Sequence, residues 1–332
     1  MAHKFFIYLL RNQIIFALFL VIIGWFLFQT RGIITSIFLA YIINAALLPI
    51  VRILRKKGLS HFLSALIPFV SIIIFLILII LPIFPFVISQ ITSLLVGLPE
   101  YLDEAGKVLG FQVNAEQVQA FVTREIDSIG RNAFSVTSKV FGGLFSVLTV
   151  LIVSFYMILY HDKFKGNVAQ LFHRDQRQKV IDTLDHVDDK LGAWLTGQLV
   201  LSLVIGLVTW IALSILGLPF ALPLAILAGM LEIVPTLGPI LASIPAIIVA
   251  LTVSPTLAIV IVALYIVIQL LENNILVPKI MQRAVGLNPV VVIVAVMIGA
   301  NLMGVIGALL SIPFVSFLIV LFNSITADTE EK

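Results

Sequence analysis

The stretch Leu231-Glu232-Ile233-Val234-Pro235-Thr236-Leu237-Gly238-Pro239-Ile240-Leu241-Ala242-Ser243-Ile244-Pro245 sets a carboxylate, three prolines and a glycine inside an otherwise apolar region. A helix cannot pass intact through Pro235, Gly238 and Pro239, because each proline removes a backbone donor and clashes with the preceding turn. Broken backbone at membrane depth is tolerated only where protein buries it or where it lines a water-filled cavity. This stretch is therefore the first candidate for a transport site.

Composition supports that reading. Of 332 residues, 61% are hydrophobic and 11% charged, against roughly 25% charged in soluble domains. A folded soluble protein is excluded, and the chain reads as a polytopic membrane protein. Its apolar runs match the ~20 residues a helix needs to cross a bilayer, and the ~10-residue alternating segments of a barrel are missing. The fold class is all-α. The chain has no cysteine, which excludes disulfides and thiolate metal sites. The net charge of +3 is small, and the basic residues flank apolar runs. They read as topology signals, with no nucleic-acid footprint.

Outward from the opening stretch, residues 1–88 hold three spans, at 14–28, 33–50 and 62–88, the last with expected kinks at Pro68, Pro82 and Pro85. The first has no small-residue cleavage site at Phe28-Gln29-Thr30-Arg31 and reads as uncleaved. Arg52, Arg55, Lys56 and Lys57 form the strongest topological marker. By the positive-inside rule they are cytoplasmic, which places both termini in the cytoplasm of a multi-pass protein of the cell (inner) membrane. Residues 89–139 read as an extracytoplasmic segment with amphipathic helices near 93–109 and 115–129, with a solvated connector as the alternative.

Residues 140–196 comprise a fourth span, 140–160, and a charged cytoplasmic helical linker. Its histidines, His161, His173 and His186, are too widely spaced for one metal-binding helix face and read as part of a solvated surface. No Gly-x-Ser-x-Gly, His-Glu-x-x-His or phosphate-loop motif occurs. No catalytic residue, resident metal or cofactor is assigned.

Residues 197–325 contain an internal repeat, followed by a cytoplasmic tail at 326–332. Gly217-Leu218-Pro219, an apolar half, Gly238, Ser243-Ile244-Pro245 and a second apolar half are answered by Gly286-Leu287-Asn288-Pro289, an apolar half, Gly304 and Gly307, then Ser311-Ile312-Pro313. One complete span precedes each unit, at 197–216 and 256–271. The half at 220–234 would be about 22 Å long, short of the ~30 Å hydrocarbon core. Each unit thus reads as a re-entrant helical hairpin, and the two form an inverted-topology repeat whose tips meet near the midplane. A tilted pair of full spans in each unit gives the same outer topology and is the competing arrangement.

Polar groups within these spans are the candidate transport or coupling residues: Glu232, Pro235, Gly238 and Pro239 at the first tip, Glu272 and Asn273 at the end of the following span, and Asn301 and Gly304 at the second tip. A buried carboxylate is costly unless protonated or paired, so Glu232 is a functional hypothesis by default. Glu272 and Asn301 are expected near it. Snorkelling of Glu232, an ordinary helix end at Glu272-Asn273-Asn274 and tight packing along Ala300, Gly304 and Ala308 are the structural alternatives.

The motifs Glu232-x-x-Pro235-x-x-Gly238-Pro239, Glu272-Asn273-Asn274-x-x-x-Pro278-Lys279, Gly286-Leu287-Asn288-Pro289 and Ser311-Ile312-Pro313 resemble those of the autoinducer-2 exporter family of bacterial and archaeal permeases, across essentially the whole chain. Asn288 stands where the family often has His, so no proton-handling role is carried over to it. The resemblance implies a lipid-embedded homo-oligomer, with a pentamer as the candidate assembly. It also implies secondary export of a small polar solute such as autoinducer-2. The alternatives are a monovalent cation (sodium or lithium)/proton antiporter and a non-transporting membrane scaffold.

Overall fold

The computed structural model describes residues 13–75, 77–78, 96–97, 99–100, 103, 106–107, 110, 118, 120–124, 133–234, 237–281 and 288–326, and among these every regular element is helical. The expected amphipathic helices near 93–109 and 115–129 lie largely outside the described residues, as do Pro82 and Pro85.

Three apolar helices open the chain: α1 (Gln13–Gln29), α2 (Arg31–Lys56) and α3 (His61–Phe75). In α2 the residues Ala40, Asn44, Leu47, Leu48 and Val51 are buried, the three- and four-residue spacing of one helix face. Arg55 and Lys56 close its last turn, where positive charge complements the helix dipole. Helix α3 continues through Pro68. Helix α4 (Ala133–Leu159) packs on this group through a core of Leu47, Val51, Ala65, Phe69, Leu151 and Ile158. Phe155 meets Phe62 and Phe69 edge to face, with ring centroids 5.8 and 5.5 Å away.

After Tyr160 the chain bends by 71° into α5 (His161–Gln170). Helix α6 (Arg177–Ile215) then runs for 39 residues without a break, roughly 58 Å at 1.5 Å per residue. The part of the charged linker from Arg177 onward and the next apolar run, separate in the sequence reading, are one rod. A hydrocarbon core of ~30 Å leaves about half of it projecting. Gly192 lets α6 lie against α2: a Cβ there would stand 2.6 Å from the Ala45 carbonyl oxygen.

A turn through Gly217 (φ 67°) and Phe220 (φ 61°) leads into α7 (Ala221–Leu231), which packs back along α6. The two backbones approach at glycines: a Cβ on Gly229 would stand 2.9 Å from the Ser202 carbonyl oxygen, and one on Gly206 would stand 3.4 Å from that of Ala225. Helix α8 (Leu237–Val253) starts just beyond the break. The position of the break corrects the sequence reading. Pro239 is tolerated in the first turn of α8, where no intrahelical donor is needed, and Pro245 sits within that helix. A Cβ on Gly238 would fall on the Leu231 carbonyl, so glycine permits the tight approach of α8 to the end of α7.

Helix α9 (Pro255–Leu271) is capped by Ser254, whose Oγ accepts a hydrogen bond from the Leu257 amide at 3.1 Å. It passes into a π-helical segment, Glu272–Leu276, and a short α10 (Val277–Ile280). The Asn288 side chain accepts from the Val290 amide at 2.9 Å at the start of α11 (Pro289–Thr326). Helix α11 is broken at Met303 (φ −142°, ψ 16°) and Gly304 (φ 63°, ψ −144°). Across this break the arms 289–302 and 305–326 touch, since a Cβ on Gly299 would collide with the backbone of Gly307. In a straight helix residues eight apart are ~12 Å apart along the axis, so the chain folds back on itself here. The contact runs through Gly299 and Gly307, whereas Ala300 and Gly304 of the expected small-residue stripe are exposed.

Among the described residues four helical segments are long and apolar enough to cross a membrane, Arg31–Lys56, Arg174–Ile215, Pro255–Ile280 and Val290–Ser324, the last counted across its break, and the bent pair of α4 and α5 makes a fifth. Large apolar side chains such as Phe145, Leu203, Ile215 and Val305 cover the outside, as expected of helices in lipid.

Candidate functional site: a buried pair of glutamates

Glu232 is the residue that ends α7, and Glu272 is the first residue of the π segment after α9. Both are buried, at 0% and 1% exposure. Their carboxyl groups face each other within interacting range. Neither Glu232 oxygen reaches hydrogen-bond geometry with any described group. The Glu272 carboxylate accepts from Gln269 Nε2 at 3.3 Å. Among the described residues no basic side chain lies against either acid.

Local structure explains the meeting. Helix α7 stops short of the prolines, which leaves its last carbonyls without intrahelical donors. Gln198 on α6 fills one vacancy, its Nε2 donating to the Glu232 carbonyl oxygen at 2.7 Å. The π segment gathers an extra residue into its turn, an irregularity frequent at functional sites. Glu272 points inward while Asn273 and Asn274 remain exposed. Asn274 Nδ2 donates to the Leu270 carbonyl at 2.8 Å, and Gln269 Nε2 reaches Asn273 Oδ1 at 3.5 Å.

Other buried polar atoms here also lack partners: Gln198 Oε1 and Ser202 Oγ on α6, and farther along Thr209 Oγ1 on α6 and Tyr265 OH on α9. Helical rise puts Thr209 about 10 Å from Ser202, and Tyr265 about 10 Å from Glu272, in the same direction along the bundle. Most buried polar groups in proteins are hydrogen-bonded. Among the described residues, Gln198, Ser202 and Thr209 follow one another at four and seven residues along α6, which puts them on one helix face.

The remaining sequence candidates fall elsewhere. Gly238 and Pro239 are buried in the first turn of α8, beside the Glu232 backbone. Pro235 lies outside the described residues. Asn301 and Gly304 are exposed at the break in α11, and Asn301 makes no hydrogen bond to either glutamate among the described residues. Next to that break, Thr35 Oγ1 of α2 contacts Met303 Sδ at 3.3 Å. Gln198 was not singled out from sequence, although it is a lone amide in an apolar run.

A second buried polar cluster corrects the solvated-surface reading at His161, whereas His173 and His186 are exposed as that reading expects. Asp188 on α6 is 3% exposed, and His161 and Lys165 on α5 are 6% and 7% exposed. Tyr41 OH donates to Asp188 Oδ1 at 2.7 Å, His161 Nε2 stands 3.1 Å from Oδ2, and Lys165 Nζ lies 2.5 Å from carboxylate oxygens of both Asp188 and Asp185. These residues precede Gly197, where the apolar part of α6 begins. Burial raises the Asp188 pKa, but contacts with His161, Lys165 and Tyr41 outweigh it and hold the carboxyl below its usual range. For Lys165, burial lowers the pKa, and the two aspartates more than reverse this.

Among the described residues no group of three or more His, Cys, Asp or Glu side chains could hold a metal ion. Among the described residues no cation stands beside the two carboxyl groups, and burial of unpaired charge is costly. The arrangement suits taking up and releasing a proton or a single monovalent cation.

Comparison with known proteins agrees with a membrane transport role. The profile described as AI-2E family transporter matches residues 14–327. The chain is 27% identical over 307 residues to "Putative transport protein YrrI" of Bacillus subtilis (strain 168), covering 87% of this chain and 85% of that one. It is 26% identical over 327 residues to "Putative transport protein YueF" of the same organism, covering 91% and 88%.

Proposed function

Because the chain belongs to the AI-2E family of transporters, we propose that it is a secondary transporter exporting a small polar solute such as autoinducer-2, with Glu232 and Glu272 as its coupling pair. The observation that carries this reading is the proximity of two buried carboxyl groups with no basic partner among the described residues. In this scheme α7–α8 and the two arms of α11 are opposed re-entrant hairpins of an inverted repeat. The basic end of α2 faces the cytoplasm of the cell membrane, as do both termini, and identical subunits assemble in the bilayer. Alternating access moves the pair between the two sides, and Ser202, Thr209 and Tyr265 line its outer approach. A proton or cation taken up there drives the solute past the hairpins.

The cation/proton antiporter is favoured by one specific observation: the unpartnered atoms around the pair include carboxylate and amide oxygens, Glu232 Oε1 and Oε2 and Gln198 Oε1. Hard cations prefer such ligands.

Flux in reconstituted vesicles tests both. Glu232→Gln should abolish coupled movement of solute, whereas full activity in that variant removes Glu232 from the mechanism. If the antiporter reading holds, adding sodium or lithium to acid-loaded vesicles dissipates the pH gradient through the unaltered protein and not through Glu232→Gln. No response to either ion over a wide pH range rejects it.

A further inference from the structure

A cavity of about 630 Å³ opens between α2, α6 and α10 at the end of the bundle that carries Arg52 to Lys57. Arg52, Lys190 and Lys279 line it, one from each helix. None has an ion-pair partner among the described residues. Of the two acids in its wall, Asp188 is already engaged by Lys165 and His161, which leaves Asp189 as the only uncommitted negative charge. The inner wall is apolar and built from small residues, because α2 and α6 touch at Ala45 and Gly192. Each of the three cations sits where an apolar run ends, so the cavity lies at the level where hydrocarbon gives way to water.

Three cations from separate helices converging on one cleft are a binding arrangement for an oxyanion. Arginine contributes a planar fork matched to phosphate oxygens and lysines contribute point charges. Basic pockets between membrane helices are suited to anionic lipid head groups. We propose that this cavity binds a phosphate group, carried either by an anionic phospholipid or by a soluble phosphomonoester. The site is separate from the glutamate pair and does not rest on the transport reading, since binding is measured without flux.

The test uses purified full-length protein in neutral detergent. In the first arm, native mass spectrometry follows retention of phosphatidylglycerol against phosphatidylcholine. In the second, calorimetry follows glycerol 3-phosphate. The variant R52Q/K190Q/K279Q should lose one phosphatidylglycerol per chain, or the calorimetric signal, and each single substitution should weaken binding roughly tenfold. Lipid retention that is sensitive to the variant and not displaced by glycerol 3-phosphate assigns the site to a head group. Phosphomonoester binding that the variant abolishes assigns it to a soluble ligand. If neither ligand binds in a way the variants alter, the proposal is overturned. Should the triple variant fail to fold, Lys279→Gln on the exposed surface of α10 reads the same outcome alone.

Discussion

Two buried polar clusters lie along α6, and they are built on opposite principles. Around Asp188, every charge is matched: the carboxylate meets a lysine, a histidine and a tyrosine hydroxyl from two other helices. Around Glu232, like faces like, and the acceptor oxygens are left over. A matched buried cluster fixes helices relative to one another, and removing one member strands the others. An unmatched one contributes nothing to cohesion that a neutral side chain could not, so its presence calls for a reason other than stability.

The sharpest way to break this contrast is to delete one acid from each. Asp188→Ala takes from His161 and Tyr41 their buried acceptor and leaves Lys165 only the half-exposed Asp185, and should cost about 3 kcal/mol, read as a fall in the thermal midpoint in detergent. Restoring the midpoint by pairing Asp188→Leu with Lys165→Met would tie the loss to the stranded charge. Next in size, Gly299→Ala and Gly307→Ala force a methyl into touching backbone and should cost about 1–3 kcal/mol, while Gly24→Ala, with nothing within 4 Å, should be silent. Smallest is Glu232→Gln, expected within about 1 kcal/mol of the parent in stability while coupled flux disappears. A collapse in stability there would make the glutamate pair a structural feature.

Proton concentration gives a further separation. The Asp188 carboxyl is depressed on folding, so its contribution is present above its unfolded value and lost as pH falls through the folded one. The Lys165 ammonium is raised, so its contribution is present below its unfolded value and lost as pH climbs through the folded one. The part of the thermal midpoint owed to Asp188 and Lys165 should therefore be level between about pH 5 and pH 10. Any change in flux inside that window arises from other groups.

Helix positions were legible from sequence because apolar runs of membrane length leave the backbone no alternative to internal hydrogen bonding. The breaks were less so. Proline is disruptive in mid-helix and benign in a first turn, so Pro239 ended up beginning α8, and Pro245 and Pro313 lie inside helices. The proximity of Glu232 and Glu272 was expected from a site shared between the two repeats, whereas Asn301, expected there too, is exposed. The Asp188 cluster was hidden because its members come from α2, α5 and α6, each of which looks ordinary alone. A charged helix reads as solvated until the elements that cover it are known.

The contact between Gly192 and Ala45 has a mechanical consequence. It is a pivot on a stiff lever, with Asp188 about 6 Å to one side and Gln198 about 9 Å to the other. Tilting α6 about that point carries its two ends in opposite directions. If α6 tilts as a rigid rod about that contact, a displacement at the matched cluster reaches Gln198, and through it the end of α7, enlarged by roughly half and reversed in sign.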